Sequence, residues 1–314
     1  MAKKIIRYVG NILTLAAFVF LIRQLLNLDI DYSIIFSTRN IIFILIGAFA
    51  YSVHIFFVGV SWKKLIHVTT GERIAFANVV WVWCRSNMLK YVPGNVFQYV
   101  GRNQIATTYN LSHIKIGLST LMDVLLNLLG VFFVGVIFYY QGLRIWLASL
   151  MEDRVIAFVL FMLLVLATGG VVIGILFRKN KASKIQQIRN MITKVNIRSL
   201  LWCFGYYAFW AVYTGYIFIF ILIYTVGMSL SIQEQIMLLG AFLISWIIGF
   251  IMPGSPGGIG VREAVLTLIV GSQFSMEAVL LGIVIYRFIN IIGDLLGLLF
   301  AYASLRYSEA RKEK

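Results

Sequence analysis

The sequence has 314 residues, of which 61% are hydrophobic and only 12% are charged. A soluble globular domain carries about 25% charged residues, so this composition excludes one and indicates a membrane protein with several spans. The net charge is +15, yet the basic residues lie in predicted loops, where the positive-inside rule collects them, so we expect no nucleic-acid partner.

Apolar runs long enough to cross the roughly 30 Å hydrocarbon core of a bilayer predict six spans. In chain order they cover residues 8–26, 40–61, 117–140, 155–177, 199–226 and 278–303. Two further apolar stretches, 74–92 and 236–252, each lead into a Pro-Gly break and a second, short helix. The sequence therefore predicts an all-α polytopic membrane protein, with one integral-membrane domain over residues 1–314 and two hairpins at about 74–116 and 236–273.

Loop charges predict the topology. The N-terminal MAKKIIR, the basic loop over residues 177–198 and the tail RYSEARKEK are all predicted to be cytoplasmic. With these ends fixed, the stretch 74–116 has to enter from the cytoplasm and return to it, whereas 236–273 has to enter from outside and return there. Both hairpins are thus predicted to be re-entrant, with opposite orientations.

The two hairpins share a motif. YVPGNVFQYVGR contains Pro93, Gly94 and Arg102, and IMPGSPGGIGVR contains Pro253, Gly254 and Arg262, with each pair offset by the same number of residues. The same offset aligns Asn127 with Arg287. This pattern is typical of the inverted repeats of transporters, whose broken helices meet near the middle of the membrane.

The breaks cannot be continuous helix, because proline removes a backbone donor and clustered glycines favour other backbone shapes. The predicted break residues are Pro93, Gly94, Pro253, Gly254, Pro256, Gly257, Gly258 and Gly260. Unpaired backbone groups in lipid cost several kcal/mol each, so we expect the breaks to be buried in protein or to line a wet cavity. The helix predicted to restart at about Ile259 would direct free N–H groups toward that cavity, which favours an anion.

Charged side chains inside predicted spans are costly and therefore indicate function or specific pairing. We select Arg102, Arg262 and Arg287 as candidate phosphate-binding residues. The polar residues predicted to share their pocket are Glu263, Asp123, Asn127, Asn290 and Asp294. Helical spacing places Arg287, Asn290 and Asp294 along one helix face.

The structural alternative is that these charges only pair with one another and lock the hairpins in place. Glu263 with Arg287 is one such pair, while Asp123 has Arg287, Arg262 and Arg102 as candidate partners. The two interpretations are compatible, since a paired arginine has donors to spare for a ligand. On the last span, Gly293 and Gly297 form a GxxxG motif, which predicts close helix packing.

Metal and catalytic sites are not indicated. Cys84 and Cys203 fall inside apolar helical stretches and are interpreted as small core residues. The three histidines, His54, His67 and His113, are scattered along the chain. We therefore expect no metal, no cofactor and no catalytic residue.

KYVPGNVFQYVGR (Lys90 to Arg102) and PGSPGGIGVREAVL (Pro253 to Leu266), followed by the intramembrane Arg287, resemble the lysylphosphatidylglycerol synthase transmembrane-region family, also called flippase-like membrane proteins. The resemblance covers nearly the whole chain in order and spacing. In the multiple peptide resistance factors of that family, a similar membrane region is implied to move aminoacylated phosphatidylglycerol between leaflets, and a C-terminal soluble domain is implied to make it from aminoacyl-tRNA. The resemblance implies a multi-pass protein of a prokaryotic plasma membrane with cytoplasmic termini.

Two departures from the family pattern limit what carries over. The sequence stops at Lys314, a few residues past its last predicted span, so we expect the lipid-handling role without the aminoacyl transfer. At Asp123-Val124, many relatives would have an acidic residue followed by arginine, so residue roles on that helix do not transfer directly.

Three functional hypotheses follow. The first is a lipid translocase that moves a phospholipid, a modified or aminoacylated phosphatidylglycerol, or a lipid-linked intermediate between leaflets. The second is a membrane accessory subunit of a separate lipid- or glycan-synthesising enzyme, which includes phosphatidylglycerol lysyltransferase function through a catalytic partner. The third is a membrane-embedded transferase using Glu263 or Asp123, although the sequence contains no paired nucleophile and base and no nucleotide-binding loop. Membrane lipids are the expected partners in all three.

Overall fold

The computed structural model describes residues 36–91, 96–109, 111–142, 144, 196–252, 256–258, 260–271 and 273–311. Within these ranges the regular structure is helical, and no strand occurs. The predicted spans 8–26 and 155–177 lie outside the described residues, as do Pro93, Gly94, Pro253 and Gly254.

The described ranges contain eight α-helices, numbered here in chain order. They are α1 (Thr38–Thr70), α2 (Phe76–Asn87), α3 (Phe97–Ala106), α4 (His113–Phe138), α5 (Ile197–Ile221), α6 (Ile232–Ile251), α7 (Val261–Val270) and α8 (Met276–Ala310). Short 3₁₀ turns at Met88–Tyr91, Thr107–Tyr109 and Pro256–Gly258 lie between them, and α5 continues into a π-helical turn over Leu222–Val226.

Five helical segments of the described ranges are long and apolar enough to cross a membrane: α1, α4, α5 with its extension to Val226, α6 and α8. The chain is therefore membrane-embedded, and the predicted spans 40–61, 117–140, 199–226 and 278–303 are confirmed as long apolar helices. The sequence predicts α6 as the first arm of a re-entrant hairpin, yet its 20 residues reach the length of a complete span. The re-entrant course of both hairpins stays a prediction.

Side-chain caps begin each of the five long helices. Ser37, Ser112, Asn196, Ser231 and Ser275 each accept a hydrogen bond from the backbone N–H three residues later. At Ser231 the cap is reciprocal, because Glu234 Oε2 accepts from the Ser231 backbone N–H at 2.8 Å. These caps pair N–H groups that have no partner within their helix, so the local sequence determines where each helix begins.

Glycines allow α8 to pack closely along α1. A Cβ on Gly293 would lie 2.8 Å from the Ala48 carbonyl oxygen and 2.7 Å from Tyr51, and a Cβ on Gly297 would lie 3.0 Å from Ile55. These distances confirm that the GxxxG motif serves helix packing.

Replacing Gly293 by alanine is expected to lower the free energy of unfolding by about 1–3 kcal/mol, because the added methyl group would force the two helices apart. Gly205→Ala is the matched control, since a Cβ on this α5 glycine meets nothing within 4 Å. Thermal unfolding of both variants in the same detergent measures the difference. An equal transition temperature for the two would contradict the packing role of Gly293.

The two hairpins approach each other at their breaks, where the Met88–Tyr91 turn contacts the Pro256–Gly258 turn. Three glycines of the second break, Gly257, Gly258 and Gly260, have φ values of 59°, 74° and 82°, a region that side chains with a Cβ rarely adopt. Helix α7 then begins at Val261, close to the restart predicted at about Ile259. The break thus places the first turn of α7 in the interior of the bundle.

Candidate functional site

A cavity of about 670 Å³ lies between the two hairpins and is lined by residues from all eight described helices. Its volume is in the range of small-molecule sites, about 300–1,000 Å³. Most of its lining is apolar or aromatic, and the aromatic lining includes Trp83, Trp210, Trp246, Tyr51 and Tyr286. Charged and amide side chains are gathered among these rings, so the cavity combines an apolar wall with a polar centre.

The structure brings six of the eight predicted charged and polar site residues to this cavity, together with one of the predicted break residues. Those that line it are Arg102, Asp123, Asn127, Gly257, Arg262, Arg287 and Asn290. Glu263 and Asp294 lie behind the lining and pair with cations that line it. Gly258 and Gly260 shape the adjacent turn, Pro256 begins it, and the remaining predicted break residues lie outside the described ranges.

Arg102 on α3 pairs with Asp123 on α4, and both are buried. The Arg102 Nη1 to Asp123 Oδ2 distance is 3.0 Å, and the side chains are only 4% and 3% exposed. The Tyr207 hydroxyl donates to the other Asp123 oxygen. The Arg102 guanidinium also lies over Trp83, with Cζ 3.7 Å from the ring centroid, which gives a cation–π contact. Among the three partners that the sequence left open for Asp123, the fold selects Arg102.

Glu263 on α7 pairs with Arg287 on α8. Glu263 Oε1 accepts from Arg287 Nε at 2.6 Å and lies 2.5 Å from Nη2, while Glu263 Oε2 accepts from the Gly260 N–H at 2.8 Å. Arg287 Nη2 also donates to the Gly258 carbonyl at 3.4 Å. Glu263 therefore joins the break, the restarted helix and the last helix, and the pair named as the structural alternative does form.

The two ion pairs occupy related places with opposite polarity. In each half, a short helix after the break is tied to the long helix that follows it, by Arg102 with Asp123 in the first half and by Glu263 with Arg287 in the second. The cation is on the short helix in the first half and on the long helix in the second. Because of this reversal, Arg102 and Arg262, which the motif aligns, have different environments.

Four cationic side chains of the described residues line the cavity, and Arg262 differs from the other three. Among the residues that the structure describes, it has no carboxylate within 4 Å. Its Nε is buried without a hydrogen-bond partner, and its guanidinium lies 5.5 Å from the centroid of Trp246. Room for the side chain comes from glycines, because a Cβ on Gly249 would lie 2.4 Å from Arg262 Cγ and one on Gly258 would lie 2.6 Å from Nε. The backbone is shaped to admit this arginine, yet the described residues give it no ion pair.

Lys90 is a site residue that the sequence analysis did not select. Its Nζ lies 2.6 Å from Asp294 Oδ2, and Asp294 also accepts from Asn87 at 2.8 Å and from the Tyr91 hydroxyl at 2.5 Å. This cluster ties the tip of the first hairpin to α8. The available signal was the position of Lys90 three residues before Pro93, inside a predicted membrane stretch, where a lysine needs a partner.

The model of the family described as the lysylphosphatidylglycerol synthase TM region matches residues 8–297 of the chain. The match covers nearly the whole sequence, including both Pro-Gly motifs and every charged residue of the cavity. The chain belongs to this family. Comparisons with curated proteins and with solved structures give no match. Membership in the lysylphosphatidylglycerol synthase transmembrane-region family associates the chain with lipid modification in a membrane.

Several residues that line the cavity of this family member each have a buried, uncharged polar atom without a hydrogen-bond partner. Asn290 Oδ1, His54 Nδ1 and Trp210 Nε1 are buried and have no hydrogen bond, and their residues all line the cavity. Buried polar groups are normally paired, so these atoms are unused donors and acceptors in the cavity wall.

Groups of three or more histidine, cysteine, aspartate or glutamate residues that could hold a metal ion do not occur in the described ranges. Cys84 and Cys203 are buried as free thiols in those ranges, in keeping with their interpretation as core residues. The guanidinium, ammonium, amide and aromatic groups that line the cavity, beside the Asp123 carboxylate, are of the kinds that bind anions and polar headgroups.

Proposed function

We propose that this protein moves a phospholipid between the two leaflets of the membrane, with the headgroup passing through the cavity and its phosphate bound at Arg262. The observation that carries the proposal is the position of Arg262, a cation without a carboxylate partner in the described ranges, at the wall of a cavity between two broken helices. Guanidinium groups bind phosphate oxygens through paired, charge-assisted hydrogen bonds.

Arg102 and Arg287 support the same site from either side of the cavity. Both line it, and both hold a carboxylate that can compete with a phosphate. Such competition limits the affinity, because a lipid that is transported has to be released as well as bound. Glu263 and Asp123 are therefore proposed to regulate phosphate binding in addition to fixing the hairpins.

The apolar and aromatic lining supports the proposal for the uncharged parts of the headgroup. A headgroup that leaves water for the membrane interior needs polar partners, whereas the acyl chains stay in lipid. Alternating access would come from the two halves of the predicted repeat moving against each other around the cavity. The contact between the Met88–Tyr91 and Pro256–Gly258 turns is the place where such motion would open or close the path.

Arg262→Gln is expected to slow lipid movement about tenfold or more, because the phosphate loses a charge-assisted hydrogen bond of about 1.5–3 kcal/mol. The experiment reconstitutes the purified protein in vesicles with fluorescent phosphatidylglycerol and follows the accessibility of the label to an external quencher. Arg262→Lys is the matched control, since it keeps the charge and is expected to retain more transport than the glutamine variant.

Equal rates for the native protein and Arg262→Gln would contradict a phosphate-binding role for Arg262. If the native protein moves no lipid on its own but does so together with a lipid-synthesising enzyme, the accessory-subunit hypothesis replaces the proposal.

A further inference from the structure

The charges around the cavity can be counted residue by residue. Within the described ranges, the charged residues that line it are Lys90, Arg102, Arg262, Arg287 and Asp123. Glu263 and Asp294, which lie behind the lining, complete the set through their ion pairs. The described residues at the cavity thus include four cations and three carboxylates. With His54 counted as neutral, their net charge is one positive charge.

The pairing places this excess charge on one residue. Lys90 with Asp294, Arg102 with Asp123 and Arg287 with Glu263 have nitrogen to oxygen distances of 2.6, 3.0 and 2.5 Å. Arg262 remains without a carboxylate partner among the residues that the structure describes. A charge that is partly withdrawn from water inside a membrane and lacks a carboxylate partner is unfavourable, so the ligand that best fits the cavity supplies one negative charge.

We propose that the cavity selects lipids whose headgroup has a single net negative charge, located on a phosphodiester, and an uncharged, hydroxylated substituent. This inference rests on the proposed function, because it names the substrate class of the same site. A phosphodiester of this kind supplies one negative charge for Arg262 and does not require any of the three existing pairs to break.

Headgroups of other charge fit less well. A zwitterionic headgroup brings an ammonium group that needs a carboxylate, and the three carboxylates of the cavity are already paired. A phosphomonoester brings a second negative charge and would have to break an existing pair. A headgroup with a net positive charge, such as a lysylated one with two ammonium groups, would add to the excess positive charge.

Aromatic rings often bind ammonium groups, but here their nearest cations are protein side chains. The Trp83 ring has Arg102 3.7 Å from its centroid, the Trp246 ring has Arg262 at 5.5 Å, and the Tyr51 ring has Lys90 at 5.7 Å. A lipid ammonium group near these rings would meet a like charge. These three rings therefore favour uncharged parts of a headgroup.

The uncharged polar groups of the cavity fit hydroxyls. Asn290 Oδ1 can accept a hydrogen bond and Trp210 Nε1 can donate one. Both atoms are buried and have no hydrogen-bond partner among the described residues. His54, whose ring lies 5.1 Å from that of Trp210 between centroids, has an unpaired Nδ1. A hydroxyl group both donates and accepts, so a polyol or sugar substituent can satisfy such a mixed set.

Competition between lipids tests this selectivity apart from transport. The full chain in detergent is mixed with equal amounts of phosphatidylglycerol, phosphatidylcholine, phosphatidate and lysylphosphatidylglycerol, and the bound lipid is measured by native mass spectrometry. Phosphatidylglycerol is expected to exceed each of the others by about tenfold, which corresponds to about 1.4 kcal/mol. Equal binding of phosphatidylglycerol and phosphatidylcholine, or a preference for lysylphosphatidylglycerol, would overturn the inference.

Two variants change the charge count in opposite directions. Arg262→Gln removes the excess charge and is expected to abolish the preference for phosphatidylglycerol over phosphatidylcholine, whereas Arg262→Lys is expected to keep it. Glu263→Gln adds one positive charge at Arg287 and is expected to shift binding toward phosphatidate. Thermal unfolding identifies any variant that fails to fold, and the native protein's own selectivity remains decisive in that case.

The two proposals fail separately. If phosphatidylglycerol binds selectively but vesicle assays show no movement, the transport function is wrong while the binding selectivity stands. If all four lipids move at equal rates and bind equally, the transport function stands and the charge selectivity is wrong.

Discussion

Replacing Asp123 by alanine is expected to reduce the free energy of unfolding by about 3–5 kcal/mol, because it leaves the Arg102 charge buried without a partner. The Arg102 side chain is 4% exposed, so its charge stays largely withdrawn from water after the carboxylate is lost. The Tyr207 hydroxyl also loses its acceptor. Unfolding in detergent, followed by tryptophan fluorescence, measures the change.

The chain contains a control for this effect. Lys115 and Glu72 form an ion pair at 2.9 Å with side chains 28% and 48% exposed, so Lys115→Ala is expected to cost less than about 1 kcal/mol. The double variant Arg102→Met with Asp123→Leu should recover most of the lost stability, because it removes both buried charges. A double variant as unstable as Asp123→Ala alone would show that burial of the unpaired arginine is not the cause.

Replacing Asp294 by alanine is expected to release the tip of the first hairpin from α8. Asp294 accepts hydrogen bonds from Asn87 and Tyr91 and pairs with Lys90, and its own side chain is fully buried. We expect a loss of roughly 3 kcal/mol, at the lower end for a buried pair because the Lys90 side chain remains 21% exposed. Hydrogen exchange over residues 76–91 should become faster, since local opening there becomes easier.

The matched control lies on the same helix. Glu309 pairs with Arg306 at 3.7 Å, and both side chains are more than half exposed, so Glu309→Ala should leave exchange over residues 76–91 unchanged. Exchange over the α7 residues 261–270 should also stay unchanged in Asp294→Ala, because that helix is held by Glu263 instead. Faster exchange throughout the protein would point to general destabilisation rather than to release of one hairpin.

The predicted hairpins show where sequence and structure agree only in part. Pro-Gly breaks predict an interruption, and α7 does restart within two residues of the predicted position. The length of α6, by contrast, exceeds what a re-entrant arm requires. Helix length depends on how far the chain stays helical against its neighbours, which a break motif at one end does not determine.

Lys90 illustrates what sequence reasoning missed. Its partner Asp294 lies about 200 residues further along the chain. The hydrogen bond from Asn87 to the same carboxylate spans 207 residues. The contact depends on the first hairpin reaching the last helix, and no local pattern encodes that approach. The sequence also did not show that Arg262 has no carboxylate partner in the described ranges. That property depends on the fold, because the neighbouring Glu263 pairs with Arg287 instead.

The sequence by itself determined the membrane class, the positions of four described spans, the helix starts, the GxxxG packing and the family. Each of these is indicated by a short local motif, by total apolar length or by a motif order along the chain, so a linear pattern records it. Only the tertiary structure decided that Asp123 pairs with Arg102, that Glu263 pairs with Arg287 and that Lys90 joins Asp294. The physical reason is that an ion pair forms across helix faces brought together by packing, and several pairings of these few charges satisfy the sequence equally well.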